Sequence, residues 1–171
     1  IAISLLVLAC VGRRLPFALS LAALMLSYGG WSTLQESVQG VRTRSYFGIY
    51  QVTTFTDREG QPVETQLMHG TTMHGVQNMV PGSETEPTSY YARRSGVGYA
   101  MAHAPELFGP NARIGVVGLG TGTLACYKQP GQRWKIFEID PVMVDIARNQ
   151  FSFLSRCAPD ADIVLGDARI R

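Results

Sequence analysis

The chain has 171 residues, of which 46% are hydrophobic, with 15 Lys and Arg against 13 Asp and Glu for a formal net charge of +2. That length suffices for one packed domain, or for a small domain joined to another element. The near balance of charge gives no basic surface of the kind nucleic acid requires, so nucleic acid is not an expected partner.

Residues 1–31 differ from everything after them. IAISLLVLACV and LPFALSLAALMLSYGGW are apolar runs separated by Gly12, Arg13 and Arg14. About 20 apolar residues cross a bilayer core. The first run reads as the cut end of one membrane helix. The second reads as another, ending at Tyr28 and Trp31 where interfacial aromatics belong. The arginine pair would then face the cytoplasm. A cleaved signal peptide carries its basic segment ahead of a single apolar run, and a buried soluble hairpin shows a polar face that residues 5–11 and 17–26 lack. The chain starts at Ile1 and stops at GDARIR directly after an apparent strand, so it reads as a fragment of a longer protein.

Residues 32–88 read as a small antiparallel β-domain. SYFGIYQVTTFT (45–56) is rich in β-branched and aromatic residues. DREGQP (57–62) is a turn signal, VETQLMHG a second strand and TTMHGVQNM a third. Residues 81–88 form a loop. Residues 90–108 predict a helix weakened at Gly96 and Gly98 and stopped by GPN.

From residue 89 to 171 the pattern is that of a nucleoside-binding domain. ARIGVVG is a continuous apolar run of the sort buried on both faces of a parallel sheet. A short helix over residues 121–128 follows, then a second run at WKIFEID, a helix over 141–153 opened by Pro141, and a third strand at ADIVLGDA. The order β-α-β-α-β predicts a right-handed, doubly wound parallel sheet. The cysteines Cys10, Cys126 and Cys157 are scattered and odd in number; they fit neither a disulfide framework nor zinc-ligand spacing, and suit a reducing compartment. His69 and His74 have no third ligand nearby and read as structural, and His103, near a helix end, carries no signal, so no metal is expected.

Gly118, Gly120 and Gly122 form G-x-G-x-G at the first strand-to-helix junction. Glycine accepts positive φ and lets a ligand approach the backbone, and the following helix N-terminus offers unpaired N–H groups. Glu138 lies about twenty residues on, at the end of the next strand, where an acid takes both ribose hydroxyls. Asp167 ends the third strand at the same edge. Asp140 caps the helix that starts at Pro141. Dinucleotide sites carry G-x-G-x-x-G and hold a pyrophosphate. Here Thr123 takes the place of the third glycine, which favours a ligand without pyrophosphate, such as an adenosyl sulfonium compound facing two acids.

These residues resemble a family. VVGLGTGTLA, FEIDPVMVDIAR and DADIVLGDAR in series are similar to the first three strands of a class I adenosylmethionine-dependent transferase. Upstream, RSYFGIYQV, LMHGTTMHGVQ and SYY resemble the N-terminal β-domain of the spermidine synthase family, and the apolar segment in front resembles its membrane-fused members. The fold expected is therefore α/β: a Rossmann-like sheet truncated after three of seven strands, behind a small antiparallel β-domain and an N-terminal membrane segment. The resemblance implies transfer of an aminopropyl group from decarboxylated S-adenosylmethionine to a polyamine. Glu138 would bind the ribose and Asp167 the adenine; Gln77 would lie near the thioether side chain and Tyr91 would line the amine pocket.

The sequence also departs from the family. Where the family flanks the tyrosine with acids that hold ammonium groups, this chain has Thr88, Ser89 and Tyr90 before it and Ala92, Arg93 and Arg94 after it. Arg93 and Arg94 then point to solvent, or the acceptor is not putrescine. The family's catalytic aspartate ends a fourth strand, beyond residue 171, so the chain alone is expected to be inactive and to expose an unpaired sheet edge. Methyl transfer from S-adenosylmethionine is the alternative within enzymes. A non-catalytic nucleoside-sensing module of a membrane transporter is the alternative outside them. Expected partners are a small-molecule amine, membrane lipid and a second copy in a homodimer. The expected location is an inner or plasma membrane, multi-pass, with the transferase domain soluble.

Overall fold

The computed structural model describes residues 2–170. The ends of the expected segments at Ile1 and Arg171, and the side chain of Tyr28 with its expected interfacial role, lie outside the described residues. The chain divides into two units, residues 1–42 and 43–171.

The first unit is helical: α1 (Ala2–Ala9), α2 (Arg14–Met25), a π-helical turn (Leu26–Gly30) and α3 (Trp31–Val38). At 1.5 Å per residue α1 rises about 12 Å and α2 about 18 Å, against the roughly 30 Å of a bilayer core. Among the described residues no helix is long and apolar enough to cross a membrane. The spanning helices expected over residues 1–31 are therefore not found there, because the π turn interrupts the second apolar run. Leu5, Leu8, Leu15, Leu19 and Met25 are exposed. The hydroxyls of Ser20, Ser27, Ser32 and Ser37 donate to carbonyls three or four residues back, so these polar groups are satisfied within the helices.

Among the described residues seven strands form two sheets. β1 (Arg42–Arg44), β2 (Ile49–Thr56), β3 (Pro62–His69) and β4 (Thr72–Asn78) lie in the order β1-β2-β3-β4, with β2, β3 and β4 antiparallel. The expected first strand starts four residues late. Residues 45–48 turn instead, with the Ser45 N–H donating to the Gly48 carbonyl at 2.9 Å and the Phe47 N–H to Ser45 Oγ at 3.0 Å. The β2–β3 turn forms as its composition predicts: Asp57 Oδ1 accepts from the N–H groups of Glu59 and Gln61. In β4 a bulge opposite Leu67 and Met68 pairs Gly75 with Leu67 and Met73 with Met68, leaving His74 as the extra residue.

The predicted helix over 90–108 divides into a 3₁₀ turn (Ser89–Tyr91) and α4 (Gly96–Phe108), whose N-cap Ser95 accepts the Gly98 N–H at 3.2 Å. Gly98 is a packing requirement rather than a weakness, since a Cβ there would meet the carbonyls of Ala92 and Arg93.

The parallel sheet follows: β5 (Arg113–Val117), a 3₁₀ turn (Thr123–Tyr127), β6 (Arg133–Glu138), α5 (Pro141–Asn149), α6 (Phe153–Cys157) and β7 (Asp162–Leu165), in the order β5-β6-β7. Val116, Trp134 and Ile136 pack with Leu119, Val144, Ala147 and Leu154. The other face is open, with Val117 79% exposed. The expected burial on both faces is thus corrected to burial on one, because the 3₁₀ turn, α5 and α6 all pack against that same face. A second cluster joins Tyr50 and Leu67 of the antiparallel sheet to Met143, Ile146, Phe151 and Phe153.

The cysteine reading also changes. Cys126 and Cys157 are disulfide-bonded, with Cα atoms 4.7 Å apart and a sequence separation of 31, and Cys10 is free. Spacing alone did not show that the 3₁₀ turn and α6 pack together. Closing a loop of that length contributes about 3–4 kcal/mol on the chain-entropy account.

Candidate functional site

The strand ends converge on one crevice. β5 runs into the turn 118–122, where Gly118, Gly120 and Gly122 have φ of +90°, +55° and +85°, the left-handed region that glycine accepts without strain. A Cβ on Gly118 would meet nothing within 4 Å, so this side is open to a ligand. The far side is packed: a Cβ on Gly122 would come within 2.9 Å of Leu154, and Gly75 of β4 leaves room for Thr121. Thr123, in the place of a third glycine, is buried and hydrogen-bonded to Thr121 at 2.8 Å. The expected helix after the turn is a five-residue 3₁₀ turn. That removes the helix N-terminus from the site and leaves the individual N–H groups of the turn.

One of those N–H groups is already used. Leu119 N–H donates to Glu138 Oε2 at 2.7 Å, and Asp140 N–H donates to Glu138 Oε1 at 2.9 Å. Glu138 is 7% exposed. Each of its oxygens carries one main-chain hydrogen bond and keeps accepting capacity for another. Asp167 follows β7, where it accepts from the Arg169 N–H at 3.0 Å and from the Arg169 guanidinium, Nε to Oδ1 also at 3.0 Å. Arg169 holds the Asp167 carboxyl below the usual carboxylate range. A cavity of about 400 Å³, lined by Gly118, Phe137, Glu138, Ile139, Gly166 and Asp167 among others, brings these groups together. Its size falls in the range of roughly 300–1,000 Å³ common to small-ligand sites.

Other residues singled out in the sequence occupy different places. The Tyr91 hydroxyl lies beside Gly120, 3.9 Å from where a Cβ would stand, outside the cavity lining. The Tyr90 and Tyr91 rings are 4.3 Å apart, and the Tyr90 hydroxyl donates to the His74 carbonyl at 2.7 Å. Gln77 is fully buried, and its amide is taken up by the fold. Nε2 donates to the Glu84 carbonyl and Ser152 Oγ, and Oε1 accepts from the Ser152 N–H. It ties β4 to the link between α5 and α6. Arg93 pairs with Glu86 at 2.9 Å and lies 5.8 Å over the Tyr127 ring, while Arg94 is exposed.

Sequence reasoning missed the support behind Glu138. Asp140 caps α5 as expected, Oδ1 accepting from the Val142 N–H at 2.9 Å. Its other oxygen accepts from the Tyr50 hydroxyl at 2.7 Å and from Ser45 Oγ at 2.5 Å. Burial opposes the Asp140 charge, yet the Ser45 and Tyr50 hydroxyls, the Val142 N–H and nearby His69 together hold its carboxyl below the usual range. Burial and then Asp140 push the Tyr50 hydroxyl up to about 12, so it remains a donor. The Tyr50 ring lies 4.7 Å from His69, whose Nε2 is 3.1 Å from the Phe47 carbonyl and whose ring is 5.2 Å from His74. Burial, helped by His69, lowers the His74 pKa. Among the described residues no group of three or more His, Cys, Asp or Glu stands where it would hold a metal ion.

No family model matches this chain, and no curated protein matches it in sequence. Solved structures similar to the chain include two spermidine synthases. A spermidine synthase from Thermotoga maritima is 18% identical, with a TM-score of 0.48 over 74% of this chain and 40% of its own. A spermidine synthase in complex with the transition-state analogue AdoDATO is 18% identical, with a TM-score of 0.47 over 72% of this chain and 38% of its own. The chain thus spans about two fifths of the length of the solved structures it matches.

Proposed function

We propose that the crevice at the ends of β5, β6 and β7 binds the nucleoside of an adenosyl sulfonium compound, and that the protein moves an aminopropyl group from decarboxylated S-adenosylmethionine to an amine. One observation carries this reading: Gly118, Glu138 and Asp167 line the same cavity. Gly118 leaves room for the ligand against the backbone. The accepting capacity left on Glu138 suits two ribose hydroxyls. Asp167 accepts from the amino group of the base, and the two carboxylates favour a cationic sulfonium. The amine then attacks the carbon beside sulfur in line, and the neutral thioether leaves with the bonding electrons. The residues described here position the nucleoside half of that reaction.

Calorimetry of the chain against decarboxylated S-adenosylmethionine, S-adenosylmethionine and a nicotinamide dinucleotide tests the reading. A sulfonium ligand is expected to bind, with Glu138→Gln weakening it about tenfold or more. Preference for S-adenosylmethionine over its decarboxylated form points to methyl transfer, and preference for the dinucleotide overturns the proposal. We further place the exposed apolar helices of residues 2–38 against lipid, supported by Leu5, Leu8, Leu15 and Leu19. Failure of the chain to float with anionic phospholipid vesicles overturns that placement.

A further inference from the structure

We propose that Tyr50 is a positioning residue for the ribose-binding carboxylate Glu138, acting through Asp140; the inference rests on the nucleoside reading of the crevice. An ordinary helix cap needs one oxygen on one N–H group, which Asp140 Oδ1 provides to Val142. Asp140 goes further. It is 2% exposed, and its second oxygen takes two hydroxyls, that of Tyr50 on β2 at 2.7 Å and that of Ser45 on the turn before it at 2.5 Å. The main chain of Asp140 is the other half of the device, because its N–H holds Glu138 Oε1 at 2.9 Å. Fixing the Asp140 side chain from the sheet therefore fixes the direction of the N–H on which Glu138 rests. Leu119 holds the remaining oxygen from the glycine turn. The path from β2 to the crevice is four groups long: Tyr50 hydroxyl, Asp140 carboxylate, Asp140 N–H and Glu138 carboxylate.

The Tyr50 ring is itself core, packed with Leu67, Met143 and Phe153, so its packing and its hydroxyl are separable. Tyr50→Phe keeps the first and removes the second. A carboxylate turned by a fraction of an ångström no longer meets both ribose hydroxyls, and small misplacements have large effects on sites built for fixed geometry. The residue thus assigns a function to the antiparallel sheet: it supports the grip on the sugar.

The test compares 5′-methylthioadenosine, the thioether that aminopropyl transfer would leave, with its 2′,3′-dideoxy analogue. Binding of each to the full chain is measured by calorimetry. The unaltered protein is expected to prefer the ribose form. Tyr50→Phe should narrow that preference about three- to tenfold while affinity for the dideoxy form holds, and Ser45→Ala should narrow it in the same direction. Ser45 lies on a turn, so its variant decides the matter if Tyr50→Phe fails to fold. An unchanged preference in the variants overturns the inference, as does an equal loss for both ligands, which would mark a purely structural role. If the unaltered protein binds neither ligand, or does not distinguish them, the ribose reading beneath the inference falls instead.

Discussion

At the end of β6, Glu138 is buried and both of its oxygens rest on main-chain N–H groups. At the end of β7, Asp167 keeps 27% of its side chain exposed and pairs with Arg169, whose side chain is 86% exposed. Both carboxylates border one cavity, yet one is fixed by the fold and the other by a neighbour in water. A carboxylate held by backbone amides has its geometry set before any ligand arrives. One held by an exposed guanidinium exchanges partners readily, because such pairs contribute little. The first is suited to selecting a sugar, the second to adapting to what the sugar carries.

Removing each acid in turn breaks that contrast if it is mistaken. Glu138→Ala strands the buried N–H groups of Leu119 and Asp140, each at a cost of about 1–3 kcal/mol, so a loss of about 2–6 kcal/mol is expected in urea unfolding. Asp167→Ala leaves only an exposed arginine without its partner, and the midpoint should not move measurably. Equal losses from the two substitutions would mean that the ends of β6 and β7 are braced alike.

The acid side of the titration sharpens the comparison, with a smaller effect. His74 has a folded pKa below its unfolded value of about 6.5. The unfolded chain therefore binds the proton first, and stability present above about pH 6.5 is lost as pH falls toward the folded value. Asp140 adds a second loss further down: its folded pKa is depressed, so its contribution is present above about pH 3.9 and disappears as pH falls through the folded value. His69, whose ring lies 5.2 Å from that of His74, is the titratable neighbour that adds to this lowering. Urea midpoints at pH 7.5 and 5.5 should fall for the native chain and converge for His74→Asn. A variant with the native slope would remove His74 from this account.

What could be read in advance follows the same division between near and far. The glycines, Glu138 and Asp167 fall at fixed offsets within one βαβαβ stretch, so spacing alone brought them to one edge. Tyr50 and Ser45 stand 90 and 95 residues from Asp140, and no local pattern marks a hydroxyl for such a partner. The same distance blindness hid the Cys126–Cys157 bond, and it made Gln77 look available when Ser152 and Glu84 already occupy its amide. Apolar continuity at residues 112–118 was legible as a strand. It did not tell that Val117 faces outward, because a run of hydrophobic residues does not say which neighbours cover it.

Arg169 offers the finest measurement. Its guanidinium competes for the Asp167 oxygens and sets a positive charge beside the cavity. A cationic sulfonium ligand meets both effects, whereas the neutral 5′-methylthioadenosine meets only the first. Arg169→Ala should therefore tighten decarboxylated S-adenosylmethionine by about two- to fivefold at low salt, and the neutral thioether by less, with the difference shrinking as ionic strength rises. Equal tightening of both ligands at every salt concentration would leave competition for Asp167 as the whole effect. Weaker binding of both would make Arg169 a ligand contact, and the loosely held carboxylate of β7 would then owe its place in the site to its neighbour.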